Sequence, residues 1–317
     1  MRILVTGVMG FAGSHLAEAL LAQGGHCVIG VARRRTWPDA CRHLAAHVEL
    51  YECDLCDGET LEQILRAVQP ERIYHLAGYP HVGRSFQEAE AAWQGNLTAT
   101  HRLYDAVVRW GGRPRILFVG SGLVYGDSVS GTDGCTENDL LRPESPYAAS
   151  KAAADLVSYQ YTRHPGLDIV RVRPFNHIGP RQAPQFAVPN FARQLAAIER
   201  GRQPPLLQTG NLQSCRDLTD VRDVVAAYML VMEQGPSGEV YNVGSGQSYA
   251  MQTVLERLIA LSGIAVEVRQ TANLLRAADT AHVRANTDKL RHETGWQPRF
   301  HLDRTLADIL AYWREQP

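Results

Sequence analysis

The amino-acid sequence predicts an α/β protein, a doubly wound parallel sheet with a second, smaller substrate-binding domain. Three observations predict it. Short β-branched runs alternate with helical patterns through the first half of the chain, as successive βαβ units require. The strand candidates RILVTG, HCVIGVAR and RIYHLAG are rich in Val, Ile and Leu with little alternation, the composition of strands buried on both faces by crossover helices. Beyond Phe175 the rhythm stops, and Pro- and Gly-punctuated segments, NHIGPRQAPQF and RQPPLLQTGNLQSCRD, take over.

Taken in order, RILVTG is the first strand and FAGSHLAEALLAQG the first helix. HCVIGVAR, VELYECD, the helix GETLEQILRAVQ and the strand RIYHLAG continue the series. An amphipathic helix over Glu88–Trp110 comes next, then the strand RILFVGS ending at Ser121, a helix over Pro146–Arg163 and the strand LDIVRVRPF. DLTDVRDVVAAYMLVMEQG reads as a strand or turn entering a helix that returns to the sheet. TVLERLIALSG, IAVEVRQ and DRTLADILAYWR then supply helices and a strand for the smaller lobe. The expected partition is 1–175, with 217–243 returning to it, against 176–216 and 244–317. A chain of 317 residues has room for two such units at roughly 150 residues each.

Lys and Arg total 32 against 33 for Asp and Glu, a formal charge of −1, so there is no basic excess to neutralise a nucleic-acid backbone. A hydrophobic content of 45% with 21% charged residues is that of a globular chain. No apolar run reaches the ~18 residues of a membrane span. The apolar N-terminus is interrupted by glycines and by His15 and Glu18, so it reads as folded structure, and a cytoplasmic location is expected. The six cysteines are scattered and read as reduced thiols. Cys53 and Cys56 form a C-x-x-C without the second pair of a zinc site, and no metal is expected.

Gly7, Gly10 and Gly13 follow the first strand and open the first helix. A tight glycine turn lets backbone approach a pyrophosphate, and a helix N-terminus offers unpaired N–H groups and a positive dipole end. The spacing is G-x-x-G-x-x-G rather than the G-x-G-x-x-G of the Rossmann fingerprint. About 20 residues further on, where an acid would bond the ribose of NAD, the chain has Ala32, Arg33, Arg34 and Arg35. Guanidinium suits a 2′-phosphate, so NADP(H) is preferred, with NAD(H) possible and Arg33 best placed. Asp54 has two readings, a bond to the adenine amino group or the start of a turn.

Tyr147 and Lys151, four residues apart at the start of a helix, face the same way. The ammonium is expected to favour the phenolate and lower the tyrosine pKa, making an acid/base pair. Ser121 stands at the carboxyl edge of its strand, where open sheets place ligands.

At these residues the chain resembles, over essentially its whole length, the extended short-chain dehydrogenase/reductase family of NAD-dependent epimerases and dehydratases. The resemblance implies a nucleotide-sugar substrate. It makes Tyr147 the proton donor or acceptor, Lys151 its tuner and ribose ligand, and Ser121 the substrate anchor. It adds Asn96 beside the cofactor, and Phe11, Ala12, Leu55, Leu76, Ala77 and Phe175 to the cofactor's surroundings. RPFNHIGPRQ, RDLTDVRDVV and YNVGSGQ are most similar to the branch that reduces GDP-4-keto-6-deoxy-D-mannose to GDP-D-rhamnose. By that likeness Asn176, Arg181, Arg216 and Arg276 line the nucleotide-sugar cleft and Asp279 reads the nucleoside. Each arginine has the alternative of a surface or inter-lobe ion pair. His81 and Arg84, in YPHVGRSF, leave the sheet's carboxyl edge toward the sugar or serve structure alone. Family likeness also implies a homodimer paired through the helices near Glu88–Trp110 and Pro146–Arg163.

The reaction turns on extra acids and bases. Sugar 4,6-dehydratases of this family carry a carboxylate just after the strand-end hydroxyl residue, where this chain has Gly122 and Leu123, so dehydration is disfavoured. Reduction needs only hydride and a proton from Tyr147. A nucleotide-sugar 4-epimerase with bound NAD(P) is the alternative, and a non-catalytic cofactor-binding sensor is a third reading that Ser121, Tyr147 and Lys151 argue against.

Overall fold

The computed structural model describes residues 1–126, 134–271 and 282–316. Its first strand, β1 (Arg2–Thr6), leads through the glycine turn into α1 (Phe11–Gln23) and β2 (Cys27–Ala32). Next come β3 (Glu49–Glu52), α2 (Gly58–Val68), β4 (Arg72–His75), α3 (Ala89–Trp93), α4 (Ala99–Trp110), β5 (Arg115–Val119), α5 (Pro146–Arg163) and β6 (Ile169–Pro174). The second half supplies β7 (Asn176–Ile178), α6 (Ala187–Glu199), β8 (Leu206–Thr209), β9 (Cys215–Asp220), α7 (Val221–Gln234) and β10 (Val240–Val243). It ends with β11 (Ser248–Ala250), α8 (Met251–Ser262), β12 (Glu267–Gln270), β13 (His282–Val283), α9 (Asp288–Thr294) and α10 (Leu302–Glu315).

Seven strands form one sheet in the order β10-β6-β5-β4-β1-β2-β3, with every pair parallel. The chain runs outward from β1 to β3, then returns to β4 on the other side of β1. The order therefore reverses between β1 and β4, and open sheets bind ligands beyond the strand ends at such a switch point. Thr6 pairs with His75, so the two strands end level there.

Successive residues of β1 enter opposite layers. Ile3 and Val5 pack with Leu16, Leu20, Val224 and Tyr228 of α1 and α7. Leu4 packs with Leu61, Leu65, Leu103 and Tyr104 of α2 and α4. Burial on both faces explains the missing polar/apolar alternation of the sequence.

The remaining strands make a four-stranded sheet, β11-β9-β13 with β7 on β9, and the parallel pair β12-β8. Val188, Phe191, Leu195, Leu255, Leu258, Leu306 and Ile309 of α6, α8 and α10 form a separate core there. β9 runs directly into α7 at Val221, and α7 packs on the large sheet through Val221, Val224 and Tyr228. Asp220 caps α7 by accepting the Arg222 N–H.

The single helix expected over Glu88–Trp110 is α3 and α4 joined by a π-helical turn, Gln94–Thr98. Gly95 lets that turn close on Tyr79: a Cβ on it would lie 3.1 Å from the Tyr79 Cβ. The wide turn carries Asn96. Among the described residues no helix is long and apolar enough to cross a membrane.

Candidate active site

The glycine turn lies at the switch point. Gly7 has φ +73°, a left-handed conformation, and a Cβ on it would stand 2.9 Å from the Ala77 nitrogen. The Gly10 N–H donates to the Gly7 carbonyl at 2.9 Å. A Cβ on Gly13 would fall 2.1 Å from that same carbonyl oxygen, so the turn folds onto α1 with no room for a side chain. Gly10 is the N-cap of α1 and no side chain caps it. The first N–H groups, at Phe11 and Ala12, are left to an anion, with the helix dipole behind them. A cofactor pyrophosphate fits this end. Leu76 and Ala77 follow β4, and the Ala77 N–H donates to Thr6 Oγ1 at 3.2 Å.

Arg33 follows β2 and is exposed. Arg35 pairs with Glu52 at 3.9 Å, whereas Arg33 has no ion-pair partner among the described residues. Asp54 accepts the Cys56 N–H at 2.9 Å, which is the turn reading. Its neighbour Leu55 is buried.

Ser121 follows β5, is 5% exposed, and accepts the Leu123 N–H at 3.2 Å, capping a short 3-10 turn. α5 starts sharply because Ser145 accepts the Ala148 N–H and Pro146 occupies its first turn, where no donor is needed. Lys151, one turn beyond Tyr147, is 6% exposed. Its Nζ donates to the Val119 carbonyl at 2.9 Å and lies 5.7 Å above the Phe118 ring. Burial pushes its pKa down to about 8.

Tyr147 corrects the sequence expectation. Burial raises its pKa, and the opposing influence is a hydrogen bond from Ser121 rather than the Lys151 ammonium. Raised above the ordinary tyrosine value, the phenol is protonated at neutral pH.

Asn96 is 1% exposed. Its Oδ1 accepts the Tyr79 N–H and its Nδ2 donates to Ser150 Oγ, both at 2.9 Å. Ser150 in turn donates to the Tyr147 carbonyl at 2.8 Å. Sequence reasoning missed Ser150, although its place three residues after Tyr147 is the available signal. Gly78 fits among these groups only without a side chain: its Cβ would lie 2.6 Å from Asn96 Oδ1 and 3.3 Å from Lys151 Nζ.

Asn176 and Arg216 are brought together on β7 and β9, lining a cavity of about 160 Å3 with His177, Gln182, Phe186, Asn211 and Ser214. The His81 ring stacks over Phe186 at 6.3 Å, joining the loop after β4 to that cavity. Arg84 and Arg181 are not brought there. Arg84 is held by Glu88 at 2.5 Å, and that carboxylate also accepts the Tyr79 hydroxyl. Arg181, with φ +72°, makes a two-pronged bond to Glu18 of α1 at 2.5 and 2.6 Å. Arg181 thus follows its ion-pair alternative and Arg84 its structural one. The Phe175 ring is buried against Gly122 and stacks with Tyr125 at 6.2 Å. Arg276 and Asp279 lie outside the described residues.

The chain matches the family described as GDP-mannose 4,6 dehydratase over residues 4–309. It is 32% identical over 315 residues to GDP-6-deoxy-D-mannose reductase of Pseudomonas aeruginosa, covering 99% of this chain and 98% of that protein. The structure of RMD from Pseudomonas aeruginosa complexed with NADPH superposes with a TM-score of 0.86 at 31% identity, covering 99% and 98% of the two chains. UDP-glucose 4-epimerase of Thermotoga maritima with UDP-glucose superposes with a TM-score of 0.89 at 28% identity, over 99% of each.

Proposed function

The chain belongs to the GDP-mannose 4,6-dehydratase family of short-chain dehydrogenase/reductases, and from that premise we propose that it reduces the 4-keto group of a nucleotide-activated sugar, converting GDP-4-keto-6-deoxy-D-mannose to GDP-D-rhamnose. Proteins of this family act on nucleotide sugars with a nicotinamide cofactor. The observation that carries the reading is the placement of Tyr147: it stands in the first turn of α5, one turn before the buried Lys151, and its phenol is protonated at neutral pH, with Ser121 at the end of the neighbouring strand acting on it.

Reduced nicotinamide, when bound, supplies hydride to a carbonyl carbon. Tyr147 delivers its proton to the sugar oxygen as negative charge builds there, and Ser121 orients that oxygen by hydrogen bonding. Lys151, one turn beyond, holds its ammonium on the Val119 carbonyl and serves there as the ligand of the cofactor's ribose. Water elimination would need a further acid and base next to Ser121. Gly122, packed on the Phe175 ring, and Leu123 offer none.

The finer assignments are part of the same proposal. Arg33 reads a 2′-phosphate, so NADPH is preferred to NADH. Asn176, Arg216 and His81 hold the nucleotide sugar. Residues 1–175 with 217–243 form the cofactor unit, and 176–216 with 244–317 form the sugar unit. The enzyme is a cytoplasmic homodimer, and exposed Leu156 and Tyr159 on α5, at 59% and 45%, with Trp93 on α3, offer an apolar face for pairing.

The test mixes the enzyme with NADPH or NADH and freshly generated GDP-4-keto-6-deoxy-mannose, following loss of the reduced-nicotinamide absorbance. Stoichiometric loss with a GDP-6-deoxyhexose product is expected. No loss, together with interconversion of intact nucleotide sugars in the presence of oxidised cofactor, would establish the epimerase instead.

A further inference from the structure

His75 takes no part in the chemistry above, yet it is 1% exposed and holds a partner on each ring nitrogen. Nδ1 lies 2.8 Å from Thr6 Oγ1, and Nε2 lies 3.0 Å from Thr100 Oγ1. The neighbours fix its tautomer. The Thr100 hydroxyl donates to the Asn96 carbonyl at 2.5 Å, so its oxygen is left to accept, and Nε2 carries the ring proton. Nδ1 then accepts the Thr6 hydroxyl proton, while the Thr6 oxygen accepts the Ala77 N–H. A neutral imidazole offers one donor and one acceptor on a rigid ring, which is what this place requires. Burial keeps it neutral, with its pKa down to about 3.

We infer that His75 is a positioning residue that locks the glycine turn to the catalytic helix. Thr6 immediately precedes Gly7. At the other end, the Asn96 carbonyl belongs to the π turn whose side chain reaches Ser150 and, through it, the Tyr147 carbonyl. One run of hydrogen bonds with a single direction through His75 therefore spans from the glycine turn to the backbone of the proposed acid. The inference rests on the reading that cofactor lies on the glycine turn and that Tyr147 gives the proton. The lock itself is a property of the protein alone.

The test uses Thr6→Val and Thr100→Val, which keep shape and remove one hydroxyl each, their double variant, and Thr100→Ser as a rescue. Amide hydrogen exchange is measured on the protein without cofactor. Thr100→Val should speed exchange at least threefold in residues 7–13 as well as in α4, and Thr100→Ser should restore the native rates. Exchange confined to α4, or a Ser variant as disturbed as the Val variant, overturns the lock. In turnover, each Val variant should lose on the order of tenfold in kcat, since small misplacements of reacting groups are costly. The double variant should lose no more than the worse single, because one lock is broken once. Multiplying losses overturn the inference. If the native enzyme reduces no keto sugar, the proposed reaction fails, while the exchange measurement still decides on the lock.

Discussion

The Phe11 ring lies parallel to the His177 imidazole, with centroids 5.7 Å apart and planes 5° apart. Phe11 is the first residue of α1, at the uncapped end beside the glycine turn, and His177 lines the cavity that holds Asn176 and Arg216. The seat for an anion and the wall of the cavity thus share one aromatic contact. The Phe11 ring also meets His15 edge-on at 5.5 Å and would touch a Cβ on Gly179 at 3.5 Å, so it is wedged between α1 and the chain after β7. Phe11→Ala should raise KM for the nucleotide sugar by roughly tenfold, and cost about 2 kcal/mol of stability, less than a fully buried phenylalanine. Steady-state kinetics and thermal melting measure both. An unchanged KM would show that the stack does not shape the cavity.

Tyr147→Phe keeps the ring and deletes the acidic proton. Turnover should fall by about 10²–10⁴-fold, the worth of a placed general acid. NADPH affinity, read by quenching of cofactor fluorescence, should stay within about twofold, because the positive end of α1 and the glycine turn are untouched. Retained turnover would remove Tyr147 as the proton source.

Lys151 gives the pH dependence. Its pKa is lowered to about 8, so it is charged below that pH and neutral above it. Tyr147 is raised and stays protonated across the same range. The plot of kcat/KM for NADPH against pH should therefore be level near neutrality and decline above about 8, as the free enzyme loses the ammonium. The stability effect has the opposite sign. Burying the charge costs most below the folded pKa, and that cost is relieved as pH rises from about 8 toward the ordinary lysine value. Lys151→Met should abolish this dependence in denaturant titrations and lose activity at every pH. An alkaline limb that persists in that variant would assign the titration elsewhere.

How far the site was legible in the sequence depended on how local its parts are. Gly7, Gly10 and Gly13 announce a turn between strand and helix, and Tyr147 and Lys151 share a helix face by spacing alone. The bond between Arg181 and Glu18 joins residues on two elements 163 positions apart, so composition identifies the arginine as cationic without saying which anion holds it. His75 looks like an ordinary member of HLAG until Thr6 and Thr100 come to either side of it. The π turn was hidden because Asn96 and Gly95 sit in an amphipathic pattern that continues on both sides. What breaks that pattern is contact with Tyr79 and Ser150, which lie on other elements.

Arg33→Ala tests the cofactor choice. Arg33 is exposed after β2 and free of ion pairs among the described residues, so its removal should leave the fold intact. A charge-assisted contact to a 2′-phosphate is worth about 1.5–3 kcal/mol. The variant should thus bind NADPH roughly 10- to 100-fold more weakly and NADH almost as before. Equal loss for both cofactors would mean that Arg33 does not read the phosphate.

Gly78 and Gly83 are five residues apart in the loop after β4 and should respond oppositely to alanine. A Cβ at Gly78 would lie 2.6 Å from Asn96 Oδ1 and 3.3 Å from Lys151 Nζ. Asn96 cannot give way cheaply, because it is buried and its amide is bonded at both ends, to Tyr79 and Ser150. Something must move, and each available mover leads to Tyr147 or Lys151. Gly78→Ala should lower kcat by at least tenfold, with a melting temperature several degrees below native, as overpacking costs about 1–3 kcal/mol. At Gly83 an added Cβ meets nothing within 4 Å, and alanine there should leave both quantities unchanged. A Gly78→Ala enzyme as active as the native one would show that Asn96 and Lys151 do not need their present placement for turnover.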